Sequence, residues 1–324
     1  MSNYKTVFFI LGILQIILGA SMIFPIITQF IFEEIDSSFI SASIITVIFG
    51  ILFFLSNFEN DKKLNLQHAF LLTSLSWISV AIFGSLPFFF SDLNLSITDS
   101  FFESMSGITT TGSTIITDLN SAPKAILVWR AILQWLGGIG IIVMAITLMP
   151  IMNVGGMQLL KVSTSDASEK ILPKTKEITI RIIIIYLVLT FFCALFYKIF
   201  GMKFFDSLTH SMTTIATGGF SNYNDSIGHF NNLKIEITSM IFIILGSIPF
   251  IAYIKYLSGK KNIFYTDAQI KSFIKIIFFS ILILFLYLTL FNKSFSAVSL
   301  RSVSFNVISI LTGTGYVTTN FDSW

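Results

Sequence analysis

Three stretches rich in threonine, serine and glycine align with one another without gaps and suit the binding of a cation by backbone oxygens. Their anchoring glycines are Gly112, Gly219 and Gly315, spaced 107 and 96 residues apart. Taking a monovalent ion from water into a low-dielectric medium costs on the order of 20 kcal/mol, so a permeating ion needs oxygen ligands. Glycine admits the unusual backbone angles that let successive carbonyls face one side. The pattern therefore predicts coordination of a monovalent cation by carbonyl groups.

A short helix is expected before each Thr/Gly run. A helix of about ten residues has half the length needed to cross a bilayer, so it must re-enter. Non-helical backbone at membrane depth is tolerated only where it lines protein or water, so residues 109–114 are expected to line a cavity. Asp99 and Asp206 are expected to N-cap the first two short helices. The negative ends of these helices then point toward the membrane interior, where they favour a cation.

The composition excludes a soluble globular enzyme. Apolar residues make up 54% of the chain and charged residues 11%, against about 25% charged residues in soluble domains. The bilayer has to cover this apolar surface, which indicates an all-α integral membrane protein. Segments long enough to cross it lie at about 6–32, 38–56, 68–90, 124–149, 177–200, 234–257 and 270–291. The small net charge of +3 and the lack of a basic run argue against a nucleic-acid partner.

The repeating unit is a span, a short helix, a Thr/Gly segment and a second span. The alternative is that these glycines serve helix packing, as small residues do in membranes. Packing glycines would not recur beside a shortened helix in every unit, so the cation-binding interpretation is favoured for the three segments. Close helix packing is favoured instead for the cluster Gly137-Gly138-Ile139-Gly140.

Basic residues predict the orientation of the chain. With a cytoplasmic N-terminus, 13 of the 20 Lys and Arg residues lie inside and 11 of the 17 Asp and Glu residues lie outside. A negative outer mouth concentrates cations before they enter a pore. The alternative, that these acidic loops are simply solvated, accounts for the same distribution.

At these residues the sequence resembles the Trk/Ktr/HKT superfamily of potassium transporters, most closely its TrkH branch. The resemblance covers essentially the whole chain, and the two spans before the first repeat match the extra N-terminal helix pair of that branch. The motifs that carry it are Ser85-Leu-Pro-Phe-Phe-Phe, Phe101-Phe-Glu-Ser-Met-Ser-Gly-Ile-Thr-Thr-Thr-Gly-Ser-Thr, Trp129-Arg-Ala-Ile-Leu-Gln-Trp-Leu-Gly-Gly-Ile-Gly-Ile-Ile-Val, Val154-Gly-Gly-Met-Gln-Leu and Thr213-Thr-Ile-Ala-Thr-Gly-Gly-Phe-Ser.

The resemblance implies a pseudo-fourfold pore whose filter strands coordinate potassium through backbone carbonyls. Carried over by position, the filter residues are Thr110, Thr111, Gly112, Ser113, Thr217, Gly218, Gly219, Phe220, Gly313, Thr314, Gly315 and Tyr316. In plant relatives a serine at the first filter glycine goes with sodium preference, so Gly112 favours potassium. The resemblance also implies a homodimer in the cytoplasmic (inner) membrane, gated by a cytosolic nucleotide-binding subunit such as TrkA, with potassium as the substrate and no cofactor.

The repeats divide the chain into four expected domains. These are an N-terminal two-helix unit at 1–66, a first pore repeat at 67–175, a second at 176–265 and an incomplete third at 266–324. The family has a fourth repeat, and Trp324 stands only eight residues beyond Tyr316. We therefore expect the sequence to be a truncated form or fragment that lacks the fourth filter strand, the gate loop of the third repeat and the basic residue of the final helix.

Two other classes of function compete with a channel-like pore. An enzyme is disfavoured because His68, His210 and His229 are scattered and form no catalytic or metal motif; His210 is expected to be a polar residue of the second short helix. A cation-coupled alternating-access carrier is a stronger rival, since carriers also use repeats and broken helices, although their repeats are usually inverted. A non-conducting role for the short chain is a third possibility.

The predicted orientation can be checked by cysteine labelling. Single cysteines introduced on a Cys193→Ser background should react with a membrane-impermeant thiol reagent in intact cells only where the loop is outside. Labelling is expected at positions 33, 118 and 225 and not at positions 62 and 161. Labelling of position 161 from outside would overturn both the orientation and the acidic outer mouth.

Overall fold

The computed structural model describes residues 4–34, 36–58, 66–152, 167–291 and 297–319, and its regular structure in these ranges is entirely helical. The helices form two compact units. Unit 1 comprises the chain up to Thr109, Ser113–Thr117 and Ser121–Glu177, and unit 2 comprises Thr110–Gly112, Asp118–Asn120 and the chain from Ile178 onward. Lys62, Lys161 and the Val154-Gly-Gly-Met-Gln-Leu motif lie outside the described residues. The four-domain division stays a prediction.

Unit 1 contains the N-terminal helices and the first repeat. Its helices are α1 (Lys5–Ser21), α2 (Ile23–Ile31), α3 (Ser38–Ser56), α4 (Leu66–Phe90), α5 (Ile97–Ile108) and α6 (Lys124–Met152). Helix α7 (Ala167–Ile199) passes from unit 1 into unit 2. The short helix of this unit is α5, with 12 residues, and it packs between α4 and α6.

Unit 2 contains the second and third repeats. Its helices are α8 (Phe204–Ile215), α9 (Leu233–Ser247), α10 (Phe250–Leu257), α11 (Ile263–Thr266), α12 (Ala268–Phe291) and α13 (Ala297–Leu311), with a 3-10 turn at Ser226–Phe230. The short helices are α8, with 12 residues, and α13, with 15. All three short helices therefore fall well below the roughly 20 residues of a span.

Six helical segments of the described chain are long and apolar enough to cross a membrane. They are Lys5–Ile31, Ser38–Ser56, Gln67–Phe90, Lys124–Ile142, Lys176–Ile199 and Ala268–Leu290. These segments match six of the seven predicted spans and confirm an all-α integral membrane protein. Their large apolar side chains are widely exposed in the structure, as expected of surfaces that face lipid.

The predicted span at 234–257 is apolar enough to cross a membrane as a pair of helices, but it is broken within its length. Helices α9 and α10 meet at an angle of 84°. Pro249 has no backbone N–H, so it cannot donate to the carbonyl of Leu245 four residues earlier. The hydroxyl of Tyr253 donates to that carbonyl instead, at 2.7 Å. A side chain beyond the break thus satisfies the group that the proline leaves without its helical partner.

Glycines bring the spans into close contact with the short helices. A Cβ at Gly137 of α6 would lie 1.9 Å from the carbonyl oxygen of Ile108, at the end of α5. A Cβ at Gly246 of α9 would lie 2.7 Å from the carbonyl oxygen of Ile215, at the end of α8. Ile108 and Ile215 occupy equivalent positions in the first and second repeats. Both units therefore use a glycine to bring a helix against the end of the short helix. Close packing is thereby found at Gly137, whereas Gly140 has no neighbour within 4 Å.

Alanine substitutions at these two glycines of α6 should have different effects. In Gly137→Ala the new methyl group meets a backbone carbonyl that cannot turn away, and overpacking of this kind costs about 1–3 kcal/mol of stability. Gly140→Ala is the matched control in the same helix, because its methyl group enters open space. The melting temperature in detergent should fall only for Gly137→Ala. Equal melting temperatures would contradict the close contact with Ile108.

Candidate cation-binding site

The three Thr/Gly segments share one alternation of backbone angles. Positive φ occurs at the anchoring glycines, with values of 81° at Gly112, 77° at Gly219 and 81° at Gly315. Positive φ also occurs two residues earlier, at Thr110 (55°), Thr217 (49°) and Gly313 (77°). Threonine rarely adopts this left-handed region, because its branched Cβ crowds the backbone there. The conformation recurs in every repeat although it is costly at Thr110 and Thr217, which points to a functional constraint.

This alternation is what a row of parallel carbonyls requires. In an ordinary extended chain successive carbonyls point to opposite sides, and a left-handed residue at every second position reverses that alternation. The carbonyl oxygens of Thr217, Gly219, Gly313 and Gly315 accept no hydrogen bond within the described part of the chain. Each segment of unit 2 therefore has carbonyl oxygens that can take an ion as a partner.

The N–H groups of the same segments are satisfied by the short helices. In the second repeat Thr217 donates to Thr214 at 3.0 Å and Gly218 to Thr213 at 2.9 Å. The third repeat reproduces both bonds at equivalent positions, from Gly313 to Ile310 at 3.0 Å and from Thr314 to Ser309 at 2.9 Å. The helix ends thus hold each segment by its donors and leave acceptors for a ligand.

Hydroxyl groups fix the far end of two segments. Ser106 of α5 donates to the carbonyl of Ser113 at 2.6 Å, and Ser309 of α13 donates to the carbonyl of Tyr316 at 2.7 Å. Ser106 and Ser309 occupy equivalent positions in the first and third repeats. The second repeat has Thr213 there, and its hydroxyl is bonded to the hydroxyl of Tyr316 at 2.5 Å.

Tyr316 joins the second and third repeats within unit 2. Its side chain is almost fully buried, and its hydroxyl also donates to the carbonyl of His210 at 3.2 Å. The two segments approach so closely that a Cβ at Gly219 would lie 1.7 Å from the carbonyl oxygen of Thr314. A side chain at Gly219 would therefore push these segments apart. This effect would add to the backbone strain of a side chain at a positive φ.

A polar residue in the middle of each short helix bonds to the chain that follows the Thr/Gly segment. In the first repeat this residue is Glu103, which accepts from the hydroxyl of Thr114 at 2.9 Å and from the N–H of Ile115 at 2.9 Å. In the second it is His210, which is bonded to Ser221 at 3.0 Å. In the third it is Asn306, whose amide lies 3.3 Å from the hydroxyl of Thr318. These three residues, which we call the brace residues, occupy one repeat position.

The first brace residue is part of a buried ion pair. Arg130 of α6 donates from Nε to Glu103 at 2.7 Å, and the two side chains are 2% and 0% exposed. A buried charge without its partner costs several kcal/mol, so each side chain depends on the other. The pair connects α5, the segment beyond Gly112 and the following span in unit 1.

The second brace residue has a defined tautomer. The Nδ1 atom of His210 lies 2.8 Å from the carbonyl oxygen of Asp206, and a carbonyl can only accept, so Nδ1 carries a proton. In the neutral ring Nε2 then accepts from the Ser221 hydroxyl. This arrangement agrees with the expectation that His210 is a polar residue of the short helix.

Asp99 and Asp206 do not occupy the expected N-cap positions. The N-cap of α5 is Ser96, whose hydroxyl accepts from the N–H of Asp99 at 3.1 Å and donates to its carboxylate at 2.8 Å. Asp99 is therefore the third residue of α5 and bonds to its N-cap serine. Asp206 is buried in the first turn of α8 and accepts from Asn222 and Tyr223.

Asp206 also affects the ionisation of Tyr223. Burial, together with the neighbouring Asp206 carboxylate, raises the pKa of Tyr223 to about 12. The phenol therefore stays protonated at physiological pH and donates to Asp206 at 3.0 Å. This contact ties the chain after the second Thr/Gly segment to the start of α8.

The structure places the twelve predicted filter residues at different depths. Exposed are Thr111, Ser113, Gly313 and Gly315; half-buried are Thr110, Gly112, Thr217 and Gly219; buried are Gly218, Phe220, Thr314 and Tyr316. The second and third segments are in contact within unit 2. In the first, Thr110–Gly112 group with unit 2 and Ser113 with unit 1.

Sequence analysis expected His210 to be a polar residue of the second short helix, but it missed the role that His210 shares with Glu103 and Asn306, and it missed Arg130. Self-alignment puts Glu103, His210 and Asn306 in one column, and a polar residue in the middle of every short helix was the available signal. The column of Thr110, Thr217 and Gly313 also held a signal, because glycine in one repeat indicates a positive φ in the other two.

Known proteins share this architecture. The family described as "TrkH: Cation transport protein" matches residues 35–324. The chain belongs to the TrkH family. The description of this family is that of a transport protein, in line with the expectation that an enzyme is disfavoured. TrkH-type relatives include the Trk system potassium uptake protein TrkI of Halomonas elongata, 35% identical over 97% of this chain and 64% of that protein. The Trk system potassium uptake protein TrkH of Escherichia coli K12 is 34% identical over 99% of this chain and 68% of that protein.

A solved TrkH structure has the same fold. The crystal structure of the potassium transporter TrkH from Vibrio parahaemolyticus matches with a TM-score of 0.90 at 32% identity. The match covers 100% of this chain and 67% of that chain. The chain thus spans about two thirds of the length of these TrkH-family proteins.

Removal of the Glu103 charge should destabilise unit 1. Glu103→Gln removes the carboxylate that pairs with the buried Arg130, and breaking a buried ion pair typically costs about 3–5 kcal/mol. The double variant Glu103→Gln/Arg130→Gln removes both charges and should recover part of the lost melting temperature. Arg301→Gln is the comparison, since Arg301 pairs with Glu236 but its side chain is 27% exposed, and its effect should be smaller. A double variant no more stable than Glu103→Gln would show that the charge pair is not what α5 requires.

Proposed function

We propose that this chain takes part in potassium uptake across the cytoplasmic membrane through a channel-like pore. Its selectivity filter would consist of backbone carbonyls from three segments, namely Thr110, Thr111, Gly112, Ser113, Thr217, Gly218, Gly219, Phe220, Gly313, Thr314, Gly315 and Tyr316. The observation that carries the proposal is the alternation of positive φ, repeated at equivalent positions in all three segments. The names of the relatives, which are potassium uptake proteins, support the choice of ion.

The chemistry of the segments suits an ion that must lose and regain water quickly. Neutral carbonyls replace hydration oxygens without the strong attraction of a full negative charge, so an ion can both enter and leave. The N–H bonds of Thr217 and Gly218 to α8 support the strained angle of Thr217, and the hydroxyl bond of Ser106 to Ser113 holds the segment that contains Thr110. Potassium is the expected ion, because glycine and not serine stands at position 112.

The arrangement of the whole pore is also part of the proposal. The three segments would stand around one pseudo-fourfold axis, each entering with its short helix from the outer side. The N-terminus would lie in the cytoplasm, as the distribution of basic residues indicates. A homodimer, and a cytosolic nucleotide-binding subunit of the TrkA type, are the proposed partners.

A cation-coupled carrier is the second candidate, and one observation favours it. The α9–α10 segment is broken by 84°, and discontinuous helices are common in carriers. Ion flux from liposomes distinguishes the two, because a channel-like pore passes ions far faster than a carrier can change conformation. Flux that saturates at carrier turnover would favour the second candidate.

Substitution of Gly315 tests the filter. A Cβ at Gly315 would meet no atom of the described residues within 4 Å, so the expected effect of Gly315→Ala comes from its φ of 81°. Strain at a special backbone position costs about 1–3 kcal/mol, which corresponds to a loss of potassium over sodium selectivity of about 5-fold to 150-fold. The measurement is the permeability ratio in liposomes, made with the protein expressed from its own gene.

Gly201→Ala is the matched control for this experiment. Gly201 also has a positive φ, of 108°, and open space around its Cβ, but it lies in the turn between α7 and α8. Its substitution should leave the permeability ratio unchanged. If Gly315→Ala behaves like this control, the third segment is not part of the filter.

A further inference from the structure

We propose that residues 250–275 form a docking surface for anionic phospholipid headgroups at the cytoplasmic leaflet. This segment, which we call the basic corner, comprises α10, α11 and the start of α12. It contains five lysines, one aspartate and no other ionisable carboxylate or arginine. The lysines are Lys255, Lys260, Lys261, Lys271 and Lys275, and all five are exposed.

The single acidic side chain of the basic corner does not neutralise these lysines. The carboxylate of Asp267 accepts from the N–H groups of Gln269 at 2.9 Å and Ile270 at 3.3 Å, so it caps the start of α12. Within the described part of the chain, none of the five lysines forms an ion pair. The corner therefore presents a net positive charge without an internal partner.

The bend between α9 and α10 places this charge at an interfacial depth. Helix α9 has 15 residues and is about 22 Å long, whereas the hydrocarbon core is about 30 Å thick. A chain that enters from the outer side thus turns by 84° several ångströms before the inner boundary. Interfacial helices lie about 5–10 Å deep at such a boundary, parallel to the membrane.

The apolar side chains of the corner fit the same position. Tyr256, Leu257 and Tyr265 are 44%, 68% and 80% exposed, and tyrosine is enriched at membrane interfaces. On the other side, the ring of Phe264 packs on Tyr253 at 5.5 Å and on Tyr256 at 5.4 Å. The corner is therefore held in shape by an aromatic cluster while its lysines and two tyrosines remain available.

Charge complementarity favours lipid as the occupant. Clusters of four to eight basic residues next to a span attract anionic headgroups, and each lysine contributes about fivefold in affinity. An acidic protein partner would account for the lysines but not for the exposed side chains of Tyr256, Leu257 and Tyr265. These side chains suit the boundary between headgroups and acyl chains. The proposed lipid surface rests on one part of the proposed function, namely the orientation that places residues 250–275 on the cytoplasmic side.

Lipid preference of the purified chain tests the proposal. Native mass spectrometry during titration with phosphatidylglycerol and phosphatidylcholine gives the ratio of their dissociation constants. The unsubstituted chain should prefer phosphatidylglycerol, and Lys260→Gln/Lys261→Gln should lower this preference about 25-fold. Lys260→Arg/Lys261→Arg should retain it.

The matched control is Lys198→Gln/Lys203→Gln, which removes two exposed lysines. These lysines lie at and just after the C-terminal end of α7, which the predicted orientation places on the outer side. The preference of this control should change by less than about twofold, since these lysines lie far along the chain from the corner. If Lys260→Gln/Lys261→Gln fails to fold by circular dichroism, Lys271→Gln/Lys275→Gln should give a similar loss on α12.

Three results would overturn the proposal. The first is no preference for phosphatidylglycerol in the unsubstituted chain, and the second is an equal loss in the control. The third is binding of a polyglutamate peptide through Lys260 and Lys261 without any lipid preference, which would assign the corner to an acidic protein. Gly315→Ala should leave the lipid ratio unchanged, so failure of the filter and failure of this surface are separate outcomes.

Discussion

A backbone whose carbonyls face one side is the constraint on which the rest of this structure depends. A chain can turn several carbonyls to one side only when alternate residues adopt left-handed angles. Here Thr110 and Thr217 do so without the freedom of glycine. Their conformation is unfavourable by itself, so the surrounding protein has to hold it.

The short helices supply most of that support. Their last carbonyls accept the N–H groups of the Thr/Gly segments, their serines bond to carbonyls at the far end, and the brace residues bond to the chain that follows. The spans hold the short helices in turn, through Gly137 and Gly246, which allow backbone contact without an intervening side chain. The spans thus restrain the short helices, and the short helices restrain the Thr/Gly segments. These close contacts tolerate little change in side-chain volume.

The sequence predicted the elements better than the contacts between them. Hydropathy located six spans because lipid exposure requires long apolar runs. The break at Pro249 was missed because the apolar run continues across it, and the hydroxyl of Tyr253 that accommodates it lies four residues further on. The shared role of the brace residues was missed because Glu103, His210 and Asn306 differ in type. Alignment of the repeats by position, and not by residue type, reveals them.

The bonds of Tyr316 have a consequence for how the repeats have diverged. A tyrosine at the end of the third segment bonds to Thr213 in the second repeat, where the first and third repeats have serines that hold their own segments. In the second repeat the hydroxyl at this position thus bonds to a side chain of the neighbouring repeat. Duplicated units that have specialised in this way are no longer interchangeable. Residues 213 and 316 are expected to co-vary among related chains, whereas residues 106 and 113 are free to drift separately.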